Sequence, residues 1–94
     1  MHIGALSIEL RLPGCRTLKE KRSALKSLLA AVHREFNVSA AELDHLDDAH
    51  SSIIACTAVS NDPAHTQQIL GRIPGWIEAR RPDLQVIDSA ISMR

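Results

Sequence analysis

Aromatic side chains are nearly missing from this chain, which has Phe36, Trp76 and no tyrosine. Both rings fall in segments with helical apolar spacing, so the strands offer no ring for a base to stack on. Nucleic-acid recognition by stacking on a sheet is thereby excluded. The two cysteines, Cys15 and Cys56, give neither a metal-ligand spacing nor a disulfide framework. No apolar run approaches the ~20 residues of a membrane-spanning helix and no secretory leader pattern stands at the start, which predicts a soluble cytoplasmic protein with reduced thiols. Lysine and arginine are absent from residues 37 to 71, where Glu42, Asp44, Asp47, Asp48 and Asp62 lie. Acids are almost as scarce from 11 to 26, where Glu20 alone stands among Arg11, Arg16, Lys19, Lys21, Arg22 and Lys26. The formal net charge of zero hides a bipolar chain. Such a layout means either two functional faces or complementary surfaces that attract one another within the fold or between subunits.

What is present fits one domain. Ninety-four residues support a single core, and 45% hydrophobic with 23% charged residues is globular composition. Residues 2 to 12 alternate, with Leu6, Ile8, Leu10 and Leu12 on one side and Ile3, Ala5, Ser7, Glu9 and Arg11 on the other, which predicts a long strand. Pro13-Gly14 signals a turn, and Thr17 with Glu20 forms a capping box, so a helix should start at Leu18. Its apolar face is Leu18, Leu25, Leu28, Leu29, Val32 and Phe36, and Asn37 is a left-handed stop. Residues 38 to 45 predict an edge strand, and 52 to 60 a strand apolar on both faces, joined as a hairpin. Ser60-Asn61-Asp62-Pro63 opens a second helix buried through Ile69, Leu70, Ile73, Trp76 and Ile77. Pro74-Gly75 should kink or split that helix on its outer side. Residues 84 to 91 predict a last strand. With right-handed crossovers this order gives an α+β ferredoxin-like βαββαβ sandwich, a four-stranded antiparallel sheet with both helices on one face.

The first helix carries the candidate working surface. At 100° per residue Lys19, Arg22, Lys26 and His33 share one flank, and no acid of the helix compensates it at i+4. Lys19 and Lys21 sit near the first turn, where the macrodipole opposes positive charge. A solvated flank whose lysine stems cover apolar edges would look the same. As an anion-binding surface, Arg16, Lys19, Lys21, Arg22 and Lys26 with the free amides of the helix start suit phosphate groups or a nucleic-acid backbone.

The segments Gly4 to Leu10, Leu10 to Leu28, Phe36-Asn-Val-Ser39, Glu42 with Asp44-His45, and Ser60-Asn-Asp-Pro-Ala-His65 resemble the small bacterial YlxP-like family over nearly the whole chain. Its most specific signature, Ser-Leu-Lys-Glu-Lys-Arg, stands here as Thr17-Leu18-Lys19-Glu20-Lys21-Arg22. The resemblance implies a ferredoxin-like fold and a family without an established activity. The genes of that family often lie beside those for a translation initiation factor and a ribosome-binding factor, which implies a link to RNA or a ribosomal particle. The chain departs from the family pattern at Asp48-Ala49-His50-Ser51, where relatives usually carry an aromatic and a basic residue, and at Pro74-Gly75.

Other constellations give less. His45, Asp47, Asp48 and His50 are metal-ligand types on one hairpin, but spacing in a loop does not define a site, and no metal or cofactor is expected. Ser60, Asn61, Asp62 and His65 are expected to cap a helix rather than form a nucleophile set. Cys15, near a helix start and basic residues, has the setting that lowers a thiol pKa, but no histidine is placed beside it. Arg16 lacks the glycine-rich arginine loop of acylphosphatases, which share the expected fold. Apolar residues on the open sheet face predict a homodimer. The sequence therefore predicts a non-enzymatic module that binds RNA or a ribonucleoprotein through its basic helix. Alternatives are a homodimeric structural or regulatory module with an acidic protein partner, and a small enzyme acting on a phosphorylated compound.

Overall fold

The alternating run at the start of the chain forms β1 (His2–Arg11), which pairs with a strand on each side. A computed structural model describes the chain apart from positions 45 and 46, and at position 44 its backbone alone. After β1 come α1 (Leu18–Phe36), β2 (Ser39–Asp44), β3 (Ser51–Ser60), α2 (Pro63–Arg80) and β4 (Gln85–Met93). The sheet order is β2-β3-β1-β4, with every pairing antiparallel. This is the expected ferredoxin-like βαββαβ sandwich, with α1 packed over β2 and α2 over β1, β3 and β4. No helix among the described residues is long and apolar enough to cross a membrane.

The core follows from the two periodicities meeting. Leu6, Ile8, Leu10 and Leu12 of β1 and its extension, with Ile54 and Cys56 of β3, turn one sheet face toward the helices. Leu25, Leu28 and Val32 of α1 and Leu70, Ile73 and Ile77 of α2 close over them. Each such side chain contributes roughly 1.5–3 kcal/mol when fully buried. Thr17 caps α1 by accepting from the Glu20 amide at 3.1 Å. The Glu20 carboxylate reaches back to the Arg16 amide at 3.2 Å, one residue before the cap. Asn37 ends the helix in the left-handed region, at φ 53°.

At the other helix start, Asp62 accepts from the Ala64 amide at 3.0 Å, and Ser60 Oγ accepts from the Asp62 amide at the same distance. Thr66, fully buried, shares a hydrogen bond of 2.6 Å with Ser60 Oγ. Capping accounts for this polar cluster, and His65 lies exposed beside it.

Of the kink or split expected at Pro74, the split does not occur: the helix is continuous from Pro63 to Arg80. An interior proline costs about 3 kcal/mol, but Leu70, Ile73 and Ile77 on either side of it are each fully buried. Packing holds the two halves in one helix. Pro74 is itself half-buried, and only Gly75 is fully on the outside.

Gly4 lets α2 approach β1. A Cβ there would stand 2.7 Å from both Leu70 Cδ1 and Thr66 Cγ2, and Thr66 is tethered through its hydroxyl. Gly4→Ala should therefore cost about 1–3 kcal/mol by overpacking, and Gly4→Val more. Urea unfolding of the two variants checks this, and a Gly4→Val protein as stable as wild type would refute the close approach.

Candidate anion-binding flank of the first helix

The five basic residues singled out from the sequence do not act together. Lys21 is fully buried, whereas Arg16, Lys19, Arg22 and Lys26 are exposed. Lys21 must be removed from the outward-facing surface, and the reason lies in helical geometry. Positions 18, 21, 25, 28 and 32 succeed one another at spacings of three and four, so Lys21 occupies a slot on the buried face of α1. That spacing was the signal in the sequence, hidden by the charge of the residue.

An ammonium in this slot needs acceptors for its three donors, and the β2–β3 hairpin supplies them. Lys21 Nζ donates to the Asp48 carbonyl at 2.7 Å and to the Ser51 carbonyl at 2.8 Å, and it meets Glu42 Oε2 at 2.9 Å. Ser52, itself fully buried, donates its hydroxyl to the same Glu42 oxygen at 2.7 Å. Glu42 belongs to the acidic middle of the chain, so part of the bipolar charge pattern is consumed inside the fold. Among the described residues no buried side-chain nitrogen or oxygen is left without a partner.

The exposed cations within α1, Lys19, Arg22 and Lys26, lie on the side of the helix turned away from the inter-helical cavity, and Arg16 precedes the helix cap. A cavity of about 330 Å³ between the helices is lined from α1 by Ser27, Ala31 and Arg34. Arg22 is nine positions from Ala31, which is half a turn of the helical wheel at 100° per residue. On the same wheel Lys26 and Lys19 stand about 140° and 120° from Ala31, so the stripe turns away from the cavity. Among the described residues, none of Arg16, Lys19, Arg22 and Lys26 forms an ion pair with a carboxylate. His33 continues the stripe, and its Nδ1 donates to the Val38 carbonyl at 2.7 Å, which anchors the ring to the chain after the helix.

The inter-helical cavity was not foreseen from the sequence. Arg34 and Arg80 line it with Glu35 and Trp76. The Arg80 guanidinium stands 5.3 Å from the Trp76 ring centroid, and Phe36 meets Trp76 edge-on with centroids 5.4 Å apart. Arg34 and Arg80 each lie in the last turn of a helix, where positive charge offsets the macrodipole. Both aromatic rings are therefore absorbed by the helical layer, as their spacing predicts.

The hairpin residues have structural duties. Asp48 Oδ1 accepts from the His50 amide at 2.8 Å, and the His50 carbonyl accepts from the Leu12 amide at 2.8 Å. His45, the remaining histidine of that set, lies outside the described residues. Among the described residues, no three metal-ligating side chains gather.

Cys15 corrects a second expectation. Its thiol pKa is raised, not lowered: burial pushes it up, and the nearby carboxylates Glu20 and Asp83 add to the effect. Arg81 and Lys21 pull the other way but do not prevail. Arg81 is engaged by Asp83 through two hydrogen bonds of 3.1 and 3.0 Å, and that partnership holds the Asp83 carboxyl below its usual range. Burial pushes the Cys56 thiol up to about 11.

A family model described as "Protein of unknown function (DUF503)" matches residues 3–91. The uncharacterized protein YlxP of Bacillus subtilis (strain 168) is 32% identical over 77 residues, covering 82% of this chain and 84% of that protein. Among solved structures, a de novo designed protein with ferredoxin fold, determined by solution NMR, superposes over the whole chain and 84% of its own. Its TM-score is 0.57 at 13% identity, a likeness of fold alone.

Removing the Lys21 ammonium takes the counter-charge from the part-buried Glu42 carboxylate and a donor from the Asp48 and Ser51 carbonyls. Lys21→Met should destabilise the protein by about 3–5 kcal/mol, and Lys21→Arg should not substitute for it, because a planar guanidinium cannot copy a point charge among these converging acceptors. Denaturant midpoints measure both, and a Lys21→Met protein within about 0.5 kcal/mol of wild type would contradict the assignment. The thiols give an independent check. At pH 8 iodoacetamide should modify Cys15 more slowly than free cysteine, and Cys56 only after unfolding, because raised pKa values leave little thiolate.

Proposed function

From the premise that this chain belongs to the DUF503 family, whose description assigns no activity, we propose that it is a non-enzymatic cytoplasmic module that binds RNA or a ribonucleoprotein through the α1 flank. One observation carries the reading. Arg16, Lys19, Arg22 and Lys26 stand exposed and without carboxylate partners among the described residues, in a chain whose net charge is zero.

The chemistry favours phosphate contacts over base readout. Guanidinium and ammonium heads on one side of a helix match successive phosphates, whereas the sheet offers no aromatic platform. Recognition would then depend on backbone and shape, as for folded RNA. An acidic protein would use the same four cations, and the two partners separate experimentally. A phosphoryl-transfer or hydrolytic role gains no support at this flank: Glu20 is engaged by the Arg16 amide, His33 is tied through Nδ1 to the Val38 carbonyl, and both thiols have raised pKa values.

Filter binding of a structured RNA across a salt series tests the proposal. Affinity should fall steeply with salt, with a log–log slope of about −3 for four phosphate contacts, and by about one unit less for each cation removed. Lys19→Glu with Arg22→Glu should abolish retention while leaving the melting temperature unchanged, since both side chains are exposed. No retention of RNA at low salt, or retention indifferent to this double reversal, would overturn the proposal.

A further inference from the structure

The sheet has a second face, turned away from both helices, and its residues form a self-complementary pattern. Ile3, Val59 and Leu43 stand on it 38%, 62% and 59% exposed. Its floor is small, with Ala5, Ser7, Ala55 and Ala90 in neighbouring positions of three strands. Register fixes the pattern. Ile3 pairs with Val59 on one side and exchanges two hydrogen bonds with Arg94 on the other, so these three side chains share a row of the open face. Glu9 pairs with Ile53 and Asp88, which makes a second row.

The two rows are equidistant from a common line. On β1 the midpoint of Ile3 and Glu9 is Leu6, on β3 that of Val59 and Ile53 is Cys56, and on β4 that of Arg94 and Asp88 is Ile91. Leu6 pairs with both Cys56 and Ile91, so the three midpoints lie side by side. A two-fold axis running across the strands at that line would bring a second copy face to face with the first. Val59 of one copy then lies over Ile53 of the other, the small floors meet each other, Ile3 comes over Glu9, and Arg94 comes over Asp88, where it also faces the neighbouring Glu9 carboxylate. Without such a partner Glu9 and Asp88 oppose each other directly across two strands, which is an unfavourable like-charge pairing. Sheets stacked face to face approach to about 10 Å with their strands about 30° apart, which offsets both contacts by roughly one strand; the long arginine side chain spans that offset, and Val59 packs beside Ile53 rather than squarely on it.

We propose that the open sheet face is an isologous interface between two copies of this chain, registered by Val59 on Ile53 and Arg94 on Asp88 across a two-fold axis at Leu6, Cys56 and Ile91. The occupant is a second copy because the same surface supplies both halves of each contact, as a two-fold interface requires. The α1 flank lies on the other layer, so dimerisation stands or falls independently of RNA binding.

Sedimentation velocity over a concentration series tests this with the whole chain. The wild type should show a reversible monomer–dimer equilibrium, and Ala90→Glu, on the floor of an edge strand, should be monomeric. Asp88→Arg and Arg94→Glu should each raise the dimer Kd by about tenfold or more, since each places like charges together. An equimolar mixture of those two variants should return to near the wild-type Kd, because in the mixed dimer each contact pairs opposite charges again. Circular dichroism melts of the monomeric variants confirm that the fold persists. A wild type that stays monomeric at millimolar concentration, a Kd indifferent to the single reversals, or a mixture no tighter than its components would overturn the proposal.

Discussion

A single buried ammonium ties the layers of this protein together. Lys21 leaves the first turn of α1, enters the core side of the helix and ends between Glu42 and the carbonyls of Asp48 and Ser51. It thereby fixes the helix start against the β2–β3 hairpin, two parts of the chain separated by more than twenty residues. Burying the charge costs several kcal/mol in desolvation, and the attraction to Glu42 with two further hydrogen bonds offsets that cost. The gain lies in position more than in net stability. An apolar side chain in the same slot could pack in several ways, whereas acceptors converging on one nitrogen define one arrangement.

This constraint also sorts the charges of the chain. The acids from 37 to 71 partly serve the interior, through Glu42, and partly the turn geometry of the hairpin, through Asp48. The cations of α1 divide in the same way: Lys21 goes in, while Lys19 and Arg22, within three positions of it, stay out. The two surfaces proposed for contact with other molecules are the basic flank on the helical layer and the apolar open face of the sheet. They lie on opposite layers of the sandwich, so one can be occupied without blocking the other.

Much of the fold was legible because local chemistry and global packing agree. The alternation of β1, the Thr17 cap, the Asn37 stop and the Asp62-Pro63 start each specify in sequence what the structure builds. The failures have physical causes. The charge of Lys21 groups it with the outward cations, although three- and four-residue steps from Leu18 to Val32 put it inside. Pro74-Gly75 suggests a kink or a split of α2, and the split does not occur because local propensity yields to the burial of Leu70, Ile73 and Ile77. Cys15 has the cationic neighbours that usually activate a thiol, yet burial and two carboxylates outweigh them, and no spacing in sequence reveals that Asp83 comes near. The cluster of Arg34, Arg80 and Trp76 depends on helix packing across distant segments, which no local pattern encodes.

The division of labour within Lys19-Glu20-Lys21-Arg22 is the centre of this account. The chain has three lysines, Lys19, Lys21 and Lys26, and amine acetylation of the native protein followed by peptide mass spectrometry reads all three at once. Lys19 and Lys26 should label rapidly, while Lys21 should be protected until denaturant unfolds the chain. Labelling of native Lys21 at the rate of Lys19 would show that its ammonium is not held in the interior, and the account would fail.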